Sequence, residues 1–527
     1  MQAVISTDSA TIGAGVRPCD VLLINPPWIS KDGNIWHGVK SAMPPLGLLS
    51  IAAFLESRGM KVAVLDVHIE KLSASELAER IRKCRPRIVG ITVMTATAVA
   101  AHKVAVVAKE ACPDCLVVMG GVHAEAMPDE ALRNSRVDLV VRGDGEQTLW
   151  RIASGEPPQT IEGVSYRSGD AILHNPPAEV VMDLDSLPFP AYHLVPMEKY
   201  YPAIGAYKRL PAINMLMTRG CPGKCTFCNS AETTLRSRSA ANIVREIEQL
   251  KKRYGIREVQ FYDDTFTINK RNVFEFCRLM VERKVDVTWN AFARTDCFSD
   301  KMAKAMKEAG CHQVLFGVES GDEEMLRNIE KPIDLDRTRK AVEIARDAGL
   351  EVRAAFIFGG MGETVESMRR TVAYSLELDP DICMYNICTP YPGTKLFKWA
   401  KENGYLKTED WTEYELSAFI LNLPTVTEAE ILECYKEAYR RFYMRPSVIL
   451  KRALKIRNPR QLLDNIHAFF YIILRRKLGS RGEVRADWVD HKKEDFLDLD
   501  VAKPAPTFLT FEAHELLLQA QPLKVGT

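Results

Sequence analysis

The sequence predicts an α/β protein with a doubly wound first domain, a partial six-stranded barrel in the middle and a helical C-terminal region. Three observations predict it: five short β-branched runs alternate with helical stretches between residues 19 and 156, six more runs follow from Asn214, and the strand pattern ends near Glu409. At 527 residues the chain is long enough for about three to four domains. Its 46% hydrophobic and 26% charged residues are typical of an ordinary folded protein.

The first five runs predict a parallel sheet, because the segments between them have the apolar spacing of crossover helices. Residues 46–58 and 98–110 are two such segments. A sheet covered by helices on both faces is a doubly wound, Rossmann-like domain, and such domains bind ligands beyond the carboxyl ends of their strands. The runs are DVLLINPP, KVAVLDV, RIVGITVM, CLVVMGG and DLVVRG.

A segment rich in proline and polar residues, 157–205, predicts an extended linker with one hairpin. A second series of strands and helices follows, with helices predicted at 243–254 and 334–348. Six units are too few for a closed eight-fold barrel, so we expect an open, TIM-like (β/α)6 barrel with its chemistry at the C-terminal ends of the strands. The runs are NMLMT, EVQFYDD, VTWNAFART, QVLFGVES, EVRAAFIFG and DICMYNICTP.

The predicted boundaries are an N-terminal tail at 1–17, the first domain at 18–156, the linker at 157–205, the barrel at 206–408 and a mainly helical region at 409–527. In that last region, twelve Lys or Arg between Lys436 and Lys477 stand against one Glu and one Asp, interleaved with apolar residues. The pattern is typical of contact with an anionic membrane surface or a lipid-like substrate, and equally of a solvated helix packed on the barrel. Nucleic acid is a weaker alternative, because no recognition module accompanies the charge.

The net charge and the apolar runs exclude several classes of protein. A formal charge of +1 gives no global field for steering nucleic acid. There is no run of eighteen apolar residues, and the N-terminus lacks a basic segment followed by an apolar one. We therefore expect a cytoplasmic protein, with peripheral contact at the inner face of the membrane through 436–477 as the alternative.

Thirteen cysteines, an odd number in a chain without a secretory signal, predict reduced core thiols and a metal site rather than a disulfide framework. Cys221, Cys225 and Cys228 lie close together just after the first barrel strand. Three thiolates on one loop can bind three irons of a cuboidal cluster and leave the fourth iron open for a small molecule. The alternatives are core thiols or a partial zinc site, although zinc normally takes four protein ligands. Cys112 and Cys115 have no second pair, so we expect no zinc there.

These three cysteines, with Phe227 before the last, match the CxxxCxΦC signature, and residues 210–400 resemble the radical S-adenosylmethionine enzymes. The resemblance implies a 4Fe-4S cluster whose open iron binds the amine and carboxylate of S-adenosylmethionine. It also implies cleavage of the sulfonium to a 5′-deoxyadenosyl radical, and an electron donor such as flavodoxin or ferredoxin.

The same resemblance assigns further residues to S-adenosylmethionine. Those implied for the methionyl amine are Tyr262, Asp263 and Asp264, those for the carboxylate and ribose are Arg294, Glu319 and Ser320, and those for backbone contact with the adenine are Gly359 and Gly360. Opposite charges suit the ammonium and carboxylate of that molecule. The alternative for Asp263, Arg294 and Glu319 is an ion-pair network that closes the barrel mouth.

The first domain resembles the cobalamin-binding domain of the class B radical enzymes, on the segments NPPW, MPPLGLLSIAAFLESRG, LDVH, GGVHAEAMPDE and VVRGDGEQTL. The resemblance implies cobalamin near Gly120, Gly121 and His123, although His123 also fits a structural turn residue. The cobalt-ligating pattern Asp-x-His-x-x-Gly is not matched, because Lys71 stands where its glycine would be, after Asp66 and His68. We therefore expect no histidine beneath the cobalt.

Together these resemblances imply methylation of an unactivated carbon in a small-molecule or lipid-like substrate, through methylcobalamin and the 5′-deoxyadenosyl radical. An alternative is a radical cyclase or oxidase resembling the anaerobic magnesium-protoporphyrin monomethyl ester cyclase, which has a stretch similar to YRRFYMR at 439–445. A further alternative is a cobalamin and iron-sulfur sensor without turnover. Thiomethyl transfer to tRNA is less favoured, because it needs an additional N-terminal cysteine triad.

Overall fold

The computed structural model describes residues 19–28, 41–203, 205–331, 333–455 and Trp488. Within them the chain forms two large sheets, one after the other, and the eleven runs that predict strands all lie in these sheets. No helix of this described part is long and apolar enough to span a membrane.

The first sheet has seven strands. They are β1 (Val21–Asn25), β2 (Val62–Asp66), β3 (Ile88–Thr92), β4 (Leu116–Gly120), β5 (Leu139–Val141), β6 (Val164–Ser168) and β7 (Ala171–His174). The order across the sheet is β2-β1-β3-β4-β5-β6-β7, parallel through β5 and antiparallel beyond it. The hairpin expected in the linker is therefore β6 and β7, and it extends the first sheet.

Seven helices accompany this sheet. They are α1 (Leu46–Ser57), α2 (Val67–Glu70), α3 (Ala74–Cys84), α4 (Ala98–Ala111), α5 (Val122–Ala126), α6 (Pro128–Arg133) and α7 (Gly145–Ala153). Helix α3 shows why the local sequence folds this way. Ser73 accepts from the backbone of Glu76, and the Glu76 carboxylate accepts from the backbone N–H of Ser73, so two unpaired groups at the helix start are satisfied.

Cys19 and Cys84 form a disulfide, so the expectation of reduced thiols is wrong for this pair. Cys19 lies two residues before the first residue of β1, and Cys84 ends α3 shortly before β3, the neighbour of β1. The N–H of Cys19 also donates to the carbonyl of Cys84 at 3.1 Å. The pairing depends on which strands are neighbours, and a sequence separation of 65 residues gives no local sign of it.

The second sheet forms the barrel wall, next to a small ribbon of two short strands. The strands are β8 (Ala212–Met215), β9 (Thr218–Arg219), β10 (Arg236–Ser237), β11 (Glu258–Phe261), β12 (Thr288–Ala293), β13 (Cys311–Glu319), β14 (Glu351–Phe358) and β15 (Ile382–Ile387). The wall runs β8-β11-β12-β13-β14-β15, parallel throughout, while β9 pairs only with β10. The wall is thus an open, partial barrel of six strands, as predicted.

The helices of the second half follow the predicted spacing. They are α8 (Ala240–Tyr254), α9 (Lys270–Glu282), α10 (Asp300–Glu308), α11 (Glu323–Asn328), α12 (Leu335–Asp347), α13 (Val365–Leu378), α14 (Lys395–Glu402), α15 (Glu428–Tyr443) and α16 (Pro446–Lys455). Helix α8 begins after Ser239, whose side chain accepts from a backbone N–H, and ends at Gly255 with φ 65°. It buries Ile243, Ile247 and Leu250 on one face.

Amide side chains close the amino-terminal end of the barrel. Gln260 and Asn290 donate to the carbonyl of Ala206 at 2.7 and 2.6 Å, and Gln313 donates to that of Gly205 at 3.0 Å. These three side chains are buried. Together with the chain at 205–206 they form a polar floor, so the lumen opens toward the carboxyl ends of the strands.

Helix α15 protects the open edge of the barrel at β15. The Tyr439 hydroxyl accepts from the N–H of Tyr385 at 3.3 Å and donates to its carbonyl at 3.1 Å, and Tyr443 does the same at Cys383, at 3.2 and 2.6 Å. An exposed strand edge invites pairing with other chains. The tyrosines therefore replace a seventh strand. Residues 456–477 of the basic segment lie outside the described residues.

Candidate active site

The three cysteines lie on a closed loop at the carboxyl end of the first barrel strand. The ribbon of β9 and β10 joins the two ends of this loop. Gly220 begins it with φ 86°, and a Cβ added there would be 2.3 Å from the carbonyl oxygen of Thr234, so only glycine fits. Thr233 fixes Cys221 twice, because its hydroxyl accepts from the Cys221 N–H at 2.9 Å and its own N–H donates to the Cys221 carbonyl at 3.0 Å.

The thiols are shielded from water and close enough to influence one another. Cys221 is buried, and Cys225 and Cys228 are partly buried. Burial raises the pKa of the Cys225 and Cys228 thiols, and the neighbouring thiols raise it further. Lys331 and Arg294 oppose this increase at Cys225, whose pKa nevertheless stays above its usual value. Positive charge beside a thiol favours the thiolate, which is the form that binds iron.

The donor set fits an iron-sulfur cluster better than a single ion. In the described part of the chain no three Cys, His, Asp or Glu side chains are arranged to hold one metal ion. Each cysteine of a cuboidal cluster binds a different iron, so its sulfurs lie farther apart than the ligands of one ion. Three free thiols on one loop therefore match a 4Fe-4S cluster with one open iron.

Asp263 lies beside this loop, but its carboxylate is occupied by the protein. It accepts from the Met217 and Thr218 N–H groups at 3.1 and 2.5 Å and from the Thr218 hydroxyl at 2.6 Å. Burial raises its pKa to about 6 despite these bonds. The neighbouring Asp264 is exposed and accepts from Ser230 at 2.9 Å, and Tyr262 stacks on Phe292. Of the three residues, Asp264 thus carries the carboxylate accessible to a ligand.

Two ion pairs lie at the barrel mouth next to the cysteine loop. Arg294 binds Asp296 with Nε and Nη2 at 3.0 and 2.7 Å, and a Cβ added at Gly223 of the loop would be 3.2 Å from Arg294 Nη1. Glu319, with φ 66°, accepts from Lys331 Nζ at 2.6 Å, and both side chains are buried. The structure thus brings both predicted residues to the loop, and each already has an ionic partner.

The remaining predicted residues of this region lie at the ends of β13 and β14. Ser320 bonds the Thr371 hydroxyl at 3.0 Å. Gly359 and Gly360 form the turn after β14, and the Glu363 carboxylate accepts hydrogen bonds from their backbone N–H groups. Glu363 is buried, and burial raises its pKa to about 7 against the hydrogen bonds of Ser367 and the two glycines. Its role is to hold the glycine turn.

A cavity of about 320 Å³ lies at the carboxyl ends of the first sheet. Its lining includes the predicted Gly120 and Gly121, and the further glycines Gly47, Gly90, Gly143 and Gly145. Gly121 has φ 95°, and an added Cβ would be 2.9 Å from the carbonyl oxygen of Val93. A glycine wall lets backbone approach a bound nucleotide, as in doubly wound domains. The cavity therefore fits the nucleotide tail of cobalamin.

The predicted His123 does not line this cavity, and neither does His68, which was not expected to bind cobalt. The His123 Nδ1 lies 3.2 Å from the Thr95 hydroxyl, its Nε2 lies 3.6 Å from Glu130, and its ring meets Trp411 edge-on. The structure therefore brings the two glycines to the cavity but directs His123 toward the C-terminal region. His68 belongs to the short helix α2, after the second strand.

Arg219 joins the cavity to the cysteine loop. It precedes Gly220 and Cys221, lines the cavity, and donates to Glu146 at 2.7 Å and Asp144 at 3.4 Å. Glu146 is buried and also accepts from Ser50 at 2.7 Å. The cavity of the first domain and the loop of the barrel are thus adjoining parts of one site.

Sequence reasoning missed Arg219, Lys331 and Glu363. None of them lies in a spaced pattern. Arg219 depends on partners far along the chain, whereas Lys331 and Glu363 have nearer partners, Glu319 and the glycine turn, whose contacts only the fold shows. The signal for Arg219 was its position two residues before the first cysteine, but its carboxylate partners lie 73 and 75 residues away.

Comparisons with known proteins agree with this geometry. Residues 215–374 match the family model of the radical SAM superfamily, and residues 36–153 match that of the B12 binding domain. The chain is 35% identical to an uncharacterized methyltransferase of Pyrococcus horikoshii, over 82% of this chain and 94% of that protein. It is 28% identical to the anaerobic magnesium-protoporphyrin IX monomethyl ester cyclase of Rubrivivax gelatinosus, over 88% of this chain and 84% of that protein.

A solved structure shows the same fold. The radical S-adenosylmethionine methyltransferase TsrM from Kitasatospora setae, with tryptophan and an S-adenosylmethionine analogue bound, superposes with a TM-score of 0.60 at 22% identity. The match covers 74% of this chain and 77% of that one. The arrangement of a doubly wound domain before a partial barrel is therefore shared with that structure.

Proposed function

The chain belongs to the cobalamin-dependent radical S-adenosylmethionine enzymes, and from that premise we propose that it methylates an unactivated carbon of a small-molecule substrate. The observation that carries this proposal is the contact of Arg219 with Glu146, because it joins the cavity for the cobalamin tail to the loop for the cluster. Methyl donor and radical source then share one site, which such a transfer requires. The Pyrococcus relative, named as a methyltransferase, supports the same reaction.

In this proposal, Cys221, Cys225 and Cys228 hold a 4Fe-4S cluster. When bound, the cluster and the cobalamin supply reductive cleavage of S-adenosylmethionine and a transferable methyl group. Arg294 offers a guanidinium for the methionyl carboxylate, and Asp264 offers a carboxylate for the ammonium. Glu319, Ser320, Gly359 and Gly360 follow at the ends of the next strands, and Lys331 keeps Glu319 in place at 2.6 Å. Tyr262 lies deeper in the lumen, stacked on Phe292.

Radical cyclisation is the second candidate, and similarity to the Rubrivivax cyclase over most of both chains supports it. The YRRFYMR stretch at 439–445 gives it no additional support. Tyr439 and Tyr443 of this stretch hydrogen-bond the backbone of β15 at the barrel edge. A shared need to protect that edge explains the similarity of the stretch without a shared reaction, so we retain methyl transfer as the main proposal.

Isotope transfer tests the proposal. Enzyme reconstituted with iron, sulfide and cobalamin is incubated anaerobically with methyl-labelled S-adenosylmethionine, a reductant and candidate substrates. We expect labelled product and 5′-deoxyadenosine in proportion, and a Cys225→Ala variant that retains cobalamin but forms neither. Deoxyadenosine with a dehydrogenated or cyclised product and no label in it would reject methyl transfer in favour of the second candidate.

We further propose two partners. A one-electron donor such as flavodoxin or ferredoxin would reduce the cluster. The segment 436–477 would contact an anionic membrane surface or a lipid-like substrate, and its described part supports this with exposed Met444, Ile449 and Leu450 near Arg440 and Arg441. Flotation with anionic and neutral vesicles tests the contact. Equal binding of the protein to both kinds of vesicle would reject contact with an anionic membrane surface.

A further inference from the structure

The barrel lumen has a layer of side chains directly above the polar floor. Strand register defines it, because Phe292 pairs with Leu315 and Leu315 with Arg353 on successive strands. Tyr262, next to Phe292, stacks on it with ring centroids 5.8 Å apart. Alternation along β14 directs Arg353 to the lumen, since Val352 and Ala354 on either side are buried against the helices. The layer is aromatic and aliphatic except for Arg353.

Arg353 has no acidic partner among the described residues. Its Nε is buried without an acceptor, and its Nη2 meets only the thioether sulfur of Met384 at 3.2 Å. Thioethers are weak acceptors. The side chain as a whole remains partly accessible to solvent, which is consistent with a place on the wall of a water-accessible lumen.

The other cations near the site, unlike Arg353, each have a carboxylate partner. Arg219, Arg294 and Lys331 each have a carboxylate within 2.7 Å. A guanidinium surrounded by apolar groups without such a partner is unfavourable. Burial accordingly lowers the pKa of Arg353. In the described part of the chain, Arg353 is thus an unpaired cation in the lumen, where a ligand can complete its hydrogen bonds.

We propose that Arg353 binds an oxyanion of the substrate, a carboxylate or a phosphoryl group, whose carbon skeleton lies against Tyr262, Phe292 and Leu315. The proposal rests on the proposed function, because it takes the lumen as the substrate side of the site. Glu319 at the mouth pairs with Phe356, three residues beyond Arg353 on β14. At roughly 3.3 Å per residue the backbone of Arg353 lies about 10 Å below that of Phe356. The substrate is therefore an acid long enough to reach from the lumen toward the mouth.

Ligand-observed NMR on the reconstituted enzyme without S-adenosylmethionine tests the proposal with three probes: benzoate, phenylphosphonate and neutral benzamide. We expect at least one acid to bind, with benzamide at least about tenfold weaker, because a charge-assisted pair adds that much affinity. Benzoate and phenylphosphonate separate the carboxylate from the phosphoryl alternative. If neither acid binds the wild-type enzyme at concentrations up to about 10 mM, a free energy of roughly −3 kcal/mol, the proposal is overturned.

Two variants localise the binding. Arg353→Met keeps the length and apolar bulk of the side chain and should weaken the bound acid at least about tenfold, whereas Arg353→Lys should retain part of the affinity. Arg278→Met is the matched control, since it removes an arginine on the exposed face of α9. Equal affinity in the Arg353→Met variant and the wild type would overturn the proposal. Binding needs neither radical nor methyl transfer, so a failed labelling experiment with intact acid binding would reject only the proposed reaction.

Discussion

At the scale of single residues, the cysteine loop depends on a carboxylate that accepts hydrogen bonds from the protein itself. Asp263 accepts from the backbone of Met217 and Thr218, just before the loop begins. Backbone N–H groups left without an acceptor in a buried turn are costly. Asp263 therefore fixes the start of the loop and, through it, the positions of the three thiols.

The raised pKa of Asp263 predicts a specific dependence of stability on pH. Because the pKa moves from 3.8 to about 6 on folding, the native protein holds a proton between these values that the unfolded chain releases. Stability from this group is thus gained as the pH falls below about 6 and is lost above it. From the two pKa values we expect about 1 to 2 kcal/mol more stability from it at pH 5 than at pH 7.5.

The measurement is the thermal midpoint of wild type and Asp263→Asn between pH 7.5 and 5. The wild-type midpoint should rise relative to that of the variant as the pH is lowered, since asparagine does not titrate. Asp264→Asn makes the same change one residue along, at an exposed carboxylate, and serves as the control. Parallel midpoint curves for wild type and Asp263→Asn would contradict the prediction.

The sequence could reveal residues that act through their own spacing, but not those that act through distant partners. The three cysteines are recognisable because three ligands on one short loop have a characteristic spacing. Arg353 looks like any residue of an alternating strand, and only the register of β13 to β15 shows that it lacks a carboxylate. Likewise, the sequence marks Asp263 as a candidate ligand but not as the acceptor of the loop backbone.

At the scale of elements, helix α1 lines the mouth of the cavity. Gly47, in its first turn, lines the cavity and is exposed, and a Cβ added there would have no atom within 4 Å. Its neighbours Leu48 and Leu49 are buried and hold the helix on the sheet. A side chain at Gly47 therefore has room without moving the helix, and a large one would take the space of a ligand.

We expect Gly47→Phe to weaken cobalamin binding at least tenfold while the protein stays folded. The added ring would occupy part of the cavity of about 320 Å³. Gly47→Ala is the matched control, because its small side chain leaves the space open and favours the helix by roughly 0.5–1 kcal/mol. Equilibrium dialysis with hydroxocobalamin measures both variants. Equal binding by the two would show that the tail does not enter this cavity.

Strands and helices were largely predictable because their signals are local. The six barrel strands lie in chain order, so neighbours along the sequence are neighbours in the sheet. The first sheet is harder, because β1 lies between β2 and β3, and nothing local shows that the hairpin of the linker joins β5. The Cys19–Cys84 disulfide was missed for the same reason, since it requires knowing that β1 lies beside β3.

At the scale of the whole molecule, the linker, the barrel and the C-terminal region each make contacts with the first domain. Tyr200 donates to Asp66 at 3.0 Å, Asn214 donates to the carbonyl of Pro44 at 3.0 Å, and Trp411 donates to Glu130 at 2.6 Å. Three parts of the chain thus hold the first domain in place. A radical reaction needs a firmly closed site, since water and bystander groups must be kept from the intermediate.

Among the contacts between the first domain and the barrel, we expect the ion pair of Glu146 with Arg219 to contribute most to stability. It is buried, accepts from Ser50 and Arg219 at 2.7 Å each, and lies in the cavity wall. Replacing one partner of a buried pair leaves the other without compensation, typically at about 3–5 kcal/mol. Because Asp144 still contacts Arg219 at 3.4 Å, we expect Glu146→Gln to cost about 2–3 kcal/mol.

The same variant should also loosen the junction, because Arg219 leads directly into the cysteine loop. We expect a lower thermal midpoint, faster proteolysis within 157–205 and a lower yield of iron after reconstitution. Glu282→Gln breaks an ion pair of similar length to Arg278, 2.5 Å, in which both side chains are about half exposed, and should change none of these. Suppose instead that Glu146→Gln changed the thermal midpoint, the proteolysis rate and the iron yield as little as Glu282→Gln. The buried carboxylate would then have no part in holding the cavity beside the cysteine loop.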